Sequence, residues 1–394
     1  MSFPEITQGT GTLIQPIAHA VPKPFPTAGE KPRVFLTTVR IPDDHIWANG
    51  LFQNVYIIYK MLEVLGMEPW LMVDNNQNNK DAKVHEKFRV CDFREFMQAP
   101  FSVASYIEMG MSCDPGIRKY FRSSGTKVSK LYLGNILNID IETITYLPGV
   151  NFSHHVAGEL DEIWVSPHYD IHAEYAGSIN GMCGKTRIAP YVWDNYFIKE
   201  LGYMYDDSEL SLSSARNFII MEPNISFQKN ALIPILAMEA YFRKYPERVE
   251  QVVVINGNKM RDNPYFVNSI LPSLTIYAAG KLHLMPRAHI VNIAKVFRSA
   301  IVVQHQVNNE YNYSFFEWAT MGFPLVHNVK RFKDFGYYYE ENDFDAAAEQ
   351  IEKVVRFHKE NKEAYDAHFK QLSWNFSIYN PANLASWKKL VLEK

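Results

Sequence analysis

Cysteine, net charge and long apolar runs are all scarce in this chain of 394 residues. Cys91, Cys113 and Cys183 are its only cysteines, an odd and scattered set with no CxxC. That argues against a disulfide framework or a cysteine-built zinc site and points to a reducing compartment. A net charge of −3 leaves no general basic field, which argues against non-specific binding to nucleic acid or anionic lipid. No run of about 18 apolar residues is available to cross a bilayer. The N-terminus has no basic region followed by an apolar core, so no secretory leader is expected and a cytoplasmic location is.

Apolar residues make up 47% of the chain and aromatic residues 14%. The length exceeds what one core usually fills, so two domains are expected. Residues 1–32, with "PKPFPTAGEKP", read as an extended arm. "RVFLTTV" (33–39) then reads as a buried strand, "LFQNVYIIYKMLEVLG" as an amphipathic helix ending on Gly66, and "MEPWLMVD" as the next strand. This is a βαβ unit. Further strands are expected at "ASYIEMGM", "KVSKLYLG" and "LDEIWVS", with helices near 115–123 and after Pro167. "KTRIAPYVWD" reads as extended, and residues 200–215 as a polar linker.

A second alternation follows. "NFIIMEP", "VEQVVVING", "KLHLMP", "AIVVQHQ" and "PLVHN" read as strands. "NALIPILAMEAYFRKYP", "NPYFVNSILPSL", "AHIVNIAKVFRS" and "YSFFEWATMG" read as helices between them, and 345–372 as a charged helix. The tail "NPANLASWKKLVLEK" reads as a last helix with Pro381 in its first turn. The fold class is therefore α/β, with two doubly wound Rossmann-like domains facing a cleft where ligands sit at strand carboxyl ends.

Several short motifs carry no chemistry. "GTGT" (9–12) has no preceding strand. "GMCGKT" lacks the first P-loop glycine, since Ile179 stands there. His168 and His172 have helical metal-ligand spacing but no third ligand, so no metal is expected. Asp343 and Asp345 form a DxD at a helix start, where carboxylates suit the dipole.

The first βαβ unit, "LDEIWVSPHYD", "RIAPYVWD", "FIIMEPNISFQKNALIPILAMEAY" and "EWATMGFPLVHN" together resemble GT-B glycosyltransferases of the family-four type over roughly residues 33–394. "IWANGLFQNV" and "MEPNISFQKNALIPILAMEA" also resemble an uncharacterised glycosyltransferase-like family of bacteria and large viruses. The resemblance implies an acceptor domain over 33–205, a donor domain over 206–372 and a helix over 373–394 returning to the first domain. It implies sugar transfer from a nucleotide-sugar donor to an unidentified acceptor (glycan, protein, lipid or nucleic acid), without a metal, and leaves retention or inversion open. No cofactor is implied, because the nucleotide sugar is a substrate. The alternatives are a nucleotide-sugar epimerase of the same fold and a non-catalytic sugar- or partner-binding protein.

On this resemblance Glu317 in "EWATMG" takes the place of a carboxylate that accepts both ribose hydroxyls. The family's other glutamate lies eight residues earlier, where this chain has Asn309, with Glu310 one position late. Both are candidate donor-sugar residues. Lys229, before a long helix, is the implied pyrophosphate ligand, with Asn224 and Ser226 as neutral helpers. The family's nearby arginine is absent from "MEPNIS". In "RIPDDHIWANG", Asp44 and His45 are candidate base residues for an acceptor hydroxyl, and Asn49-Gly50 a candidate acceptor or phosphate loop. His155, beside His154, is a further candidate catalytic histidine, with a structural role as the competing reading.

Overall fold

The computed structural model describes residues 29–39, 46, 50–73, 86–109, 112–147, 149, 155, 158–167, 170–199, 205–206, 208, 210 and 214–393. The first unit runs β1 (Arg33–Thr37), α1 (Gly50–Val64), β2 (Glu68–Met72), β3 (Val90–Cys91), α2 (Phe93–Gln98), β4 (Ser105–Glu108), α3 (Pro115–Ser123), β5 (Lys127–Tyr132), α4 (Ile136–Tyr146), β6 (Glu162–Val165), α5 (Asp170–Ile179) and β7 (Thr186–Ile188). Its seven strands are all parallel, in the order β3-β2-β1-β4-β5-β6-β7. The order reverses direction between β1 and β4, which opens a crevice at their carboxyl ends.

The second unit runs β8 (Arg216–Met221), α6 (Leu232–Lys244), β9 (Val249–Ile255), α7 (Thr275–Ala278), β10 (Leu282–Met285), α8 (Ile290–Val296), β11 (Ile301–Val303), α9 (Tyr313–Thr320), β12 (Leu325–His327) and β13 (Tyr337–Tyr338). It repeats the pattern in six parallel strands, β10-β9-β8-β11-β12-β13. Two long helices close the chain, α10 (Phe344–Phe376) and α11 (Pro381–Leu392).

The local chemistry explains the element ends. Gly66, at φ 78°, ends α1 with its amide on Glu63 and the Met67 amide on Leu62, a Schellman turn. Asp343 caps α10, its Oδ1 accepting from the Ala346 amide at 2.9 Å, so the DxD is a helix start. Asn380 caps α11 ahead of Pro381. Residues 264–273 are helical as expected, but with irregular geometry. Pro264 and Pro272 each remove a backbone donor, and the segment forms a π-turn at Phe266–Ile270 followed by a 3-10 turn at Leu271–Ser273.

A set of aromatic rings joins the two units. Tyr191 stacks on Tyr311 at 4.5 Å between ring centroids, and Trp193 on Phe316 at 5.3 Å. Phe376, at the end of α10, meets both Tyr191 and Phe316 edge-on. There the chain returns to the first unit: the Trp193 amide donates to the Phe376 carbonyl at 2.9 Å. Helix α11 then packs Trp387 edge-on against Trp164 of β6, and its indole donates to the Pro190 carbonyl at 3.0 Å. The buried Lys127 amine of β5 takes the carbonyls of Leu390 and Glu393, satisfying orphan acceptors at the end of α11.

Candidate functional site

Strand β8 delivers Glu222 to the carboxyl edge of the second sheet. Asn224 follows at φ 51°, a left-handed turn that asparagine tolerates. Its Oδ1 accepts from the Ala231 amide at 2.8 Å, and its Nδ2 donates to the carbonyls of Asn256 and Glu222. Both amide hydrogens of Asn224 are thus spent bracing the loop, which corrects its expected part as a phosphate donor. Ser226 pairs with Lys229 across a tight turn, its carbonyl accepting the Lys229 amide at 3.1 Å. At the start of α6, side-chain oxygens of Asn224 and Asn230 already hold the Ala231 and Leu232 amides. The anion attraction expected of this helix end therefore falls mainly to Lys229.

Lys229 is half-buried, and its amine makes no hydrogen bond or salt bridge among the described residues. Glu222 is 1% exposed. Its Oε1 accepts from Gln306 Nε2 at 3.1 Å, and its Oε2 has no partner. Gln306 is held in turn by Asn309, whose Nδ2 donates to Gln306 Oε1 at 3.0 Å. Burial pushes the Glu222 carboxyl up to about 8, against the pull of Lys229 and the Gln306 amide. Burial likewise lowers the Lys229 amine, and Glu222 opposes that shift.

The first unit borders this loop. Glu142 of α4 accepts the Phe227 amide at 2.8 Å. Gln228 Nε2 donates to the Asn308 carbonyl at 3.3 Å, and Asn135, which caps α4, reaches the same carbonyl at 3.5 Å. The loop at β8 therefore sits in the seam between the two sheets, beside the segment carrying Asn309.

The remaining candidates lie elsewhere. Glu310 pairs with Arg331 at 3.0 Å rather than joining Glu222, Gln306 and Asn309, and Arg331 also reaches the Pro167 carbonyl of the first unit. Glu317, on the inner face of α9, is 5% exposed. It accepts from Gln53 Nε2 of α1 at 2.9 Å, so one of its oxygens is taken by the other domain. Burial raises its carboxyl to about 7. A Cβ added at Gly50 would lie 2.6 Å from the Tyr313 ring. The bare glycine therefore makes room for α9, a packing reason for a glycine at position 50.

His155 has both ring nitrogens engaged, Nε2 with Asp140 Oδ2 at 2.7 Å and Nδ1 with the Tyr132 hydroxyl at 3.3 Å. That arrangement ties His155 to α4 and matches the structural role that competed with the catalytic one. His172 accepts the Ile136 amide at 3.2 Å. Among the described residues no cluster of three His, Cys, Asp or Glu could hold a metal. Asp44, His45, Asn49, His154 and His168 lie outside the described residues. Sequence reasoning missed Glu222 and Gln306, although "MEPNIS" and "AIVVQHQ" contain them. The former was noticed only for the arginine it lacks.

Solved structures with this arrangement span nearly the whole chain. A sucrose-phosphate synthase from Thermosynechococcus elongatus matches at 10% identity, covering 91% of this chain and 98% of its own, with a TM-score of 0.55. An alpha,alpha-trehalose 6-phosphate synthase from Burkholderia multivorans matches at 10% identity over 92% and 100%, with a TM-score of 0.55. Anabaena HepE in complex with UDP-glucose matches at 12% identity over 92% and 99%, with a TM-score of 0.57. The fold is thus that of the GT-B glycosyltransferases. By sequence the chain belongs to the family described as Protein of unknown function (DUF2827), whose model spans residues 35–391. Among curated proteins none matches.

Proposed function

We propose that the protein is a glycosyltransferase that takes its sugar from a nucleotide-sugar donor bound on the second domain. One observation carries the reading. Among the described residues the Lys229 amine makes no hydrogen bond or salt bridge, and it stands in the loop after a central parallel strand, in the seam between two Rossmann-like domains. A desolvated cation held there is suited to a diphosphate. The fold is shared with HepE, which was solved with UDP-glucose. The acceptor reaches the seam from the first domain.

Glu317 and Glu310 are the remaining donor-side carboxylates. Gln53 of the first domain occupies one Glu317 oxygen, which leaves the other to accept a ribose hydroxyl in this reading. The test is a thermal-shift screen of UDP-, GDP- and ADP-sugars, since binding to the native state raises Tm by linkage. It is followed by detection of released or transferred sugar. A stabilising nucleotide sugar that is turned over supports the reading. No shift with any of them, at millimolar concentration, rejects it.

A further inference from the structure

Glu222 is an anomaly in a site meant for an anion. Its carboxyl is buried, lies close enough to Lys229 for each to shift the other's titration, and keeps one oxygen without a partner. Lys229 is not in contact with it, and keeps its own amine without a partner too. Two opposite charges that do not close on each other leave room for a third group. A dianionic phosphate arriving at Lys229 meets a second negative charge in a desolvated place, where like charges repel strongly. The carboxylate is held in place by Gln306, itself held by Asn309, through its other oxygen.

Resting on the donor-site reading, we infer that Glu222 is the proton-accepting counter-charge of the diphosphate site: the diphosphate is held with this carboxyl protonated, so at alkaline pH, where the empty site carries it ionised against Lys229, binding takes up a proton. The proton comes from solvent and forms an O–H bond at Oε2; no other bond is made or broken. Release of the nucleoside diphosphate after transfer returns it. Among the described residues no further charge competes. Besides Lys229, the titratable group that feels Glu222 is the buried Tyr339 hydroxyl, whose pKa burial raises. Tyr339 bonds His305, which burial holds neutral by lowering it to about 4. From β9 and the β11–α9 segment come only the neutral amides of Asn256, Gln306 and Asn309. Burial also holds the Glu222 carboxyl near 8, within reach of the proton transfer required.

Glu222 acts here as a positioning residue, and the readout is a pH profile that a structural role would not produce. UDP binding is measured by calorimetry from pH 6.5 to 9.5, where its terminal phosphate, with a second pKa of about 6, is largely ionised. Lys229→Arg supplies a cation that cannot titrate. In that variant affinity is expected to fall about tenfold per pH unit at the alkaline end, the signature of one linked proton. Adding Glu222→Gln should flatten the profile. A flat profile in Lys229→Arg alone, or an equal slope in the double variant, overturns the inference while leaving donor binding intact. Wild-type protein gives the same answer directly: at pH 8.5, in two buffers of different ionisation heat, net proton uptake on UDP binding is expected, and zero uptake overturns it. Should UDP, GDP and ADP all fail to bind at any pH, the donor-site reading falls, and this one with it.

Discussion

Glu108, the last residue of β4, and Glu222, the residue after β8, are both buried at the carboxyl end of a strand inside their sheets. Glu108 is closed in by the Arg118 guanidinium at 3.2 Å, the Cys113 amide at 3.1 Å and the Lys130 amine at 3.7 Å. Lys130 is held further by Ser112 Oγ at 2.7 Å. Glu222 has one neutral amide, an oxygen without a partner and a lysine that does not touch it. Isolated charge is too costly to bury without a purpose. Each glutamate keeps its Oε2 without a hydrogen-bond partner among the described residues, so the difference lies in counter-charge: Glu108 has two cations within 4 Å and Glu222 has none, which leaves the second end open to a ligand.

The largest expected effect tests how far the first domain depends on such joints. Deleting 380–394 removes Trp387, which is 1% exposed, and strips Lys127 of its two carbonyl partners. Truncating one such tryptophan alone costs about 3–5 kcal/mol. The deletion should melt the first domain well below the second, seen as a split transition in calorimetry. An unchanged single transition would show that α11 is dispensable.

Next comes the contrast itself. Glu108→Ala leaves Arg118 and Lys130 buried without an anion and should cost about 3–5 kcal/mol in urea unfolding. At neutral pH Glu222→Gln replaces one neutral, acceptor-bearing side chain by another of similar shape, and should change stability by no more than about 1 kcal/mol. Equal losses at the two positions would break the comparison.

Lys229→Ala should leave stability nearly unchanged but weaken UDP about tenfold or more, the loss of one charge-assisted contact worth about 1.5–3 kcal/mol. Uridine should bind as before. Equal loss for both ligands would place Lys229 away from the phosphates.

The smallest effect is on the pH dependence of Tm. His172, His305, His327 and His358 are held neutral by burial, each near 4 against an ordinary 6.5. Between those values the unfolded chain binds the extra protons, so stability rises with pH from about 4 to 6.5. Glu317 and Glu222, raised to about 7 and about 8, act in the opposite sense. Their contribution is full below about 4.5 and is lost as pH climbs through 7 and 8. Tm should therefore peak near pH 6.5. Glu317→Gln should flatten the decline toward pH 7 by a few degrees. A profile unchanged in that variant would show that Glu317 is not the group titrating there.

Much of the fold was legible in residue order. Alternating apolar strands and helices, Gly66 after the first helix, Asp343 at the start of α10 and Pro381 at the start of α11 depend on neighbours within a few residues. For that reason they could be read locally. Short elements such as β3 and α2 were missed, because two to six residues carry too little periodicity to show. The helix expected at 263–274 is present but irregular, passing from a π-turn into a 3-10 turn at Pro272.

The site was only half legible. Lys229 and Glu317 could be singled out by their place before or within a helix, and by motif. That Gln53, 264 positions away, holds Glu317, and that Gln306 holds Glu222 from 84 away, was not readable from either neighbourhood. Residue order by itself determined the parallel α/β units and where charged residues stand along them, since propensity and capping act over a few residues. Only the tertiary structure decided which carboxylate is paired and which is left open, because desolvation and hydrogen bonding depend on segments that meet after the two sheets have packed.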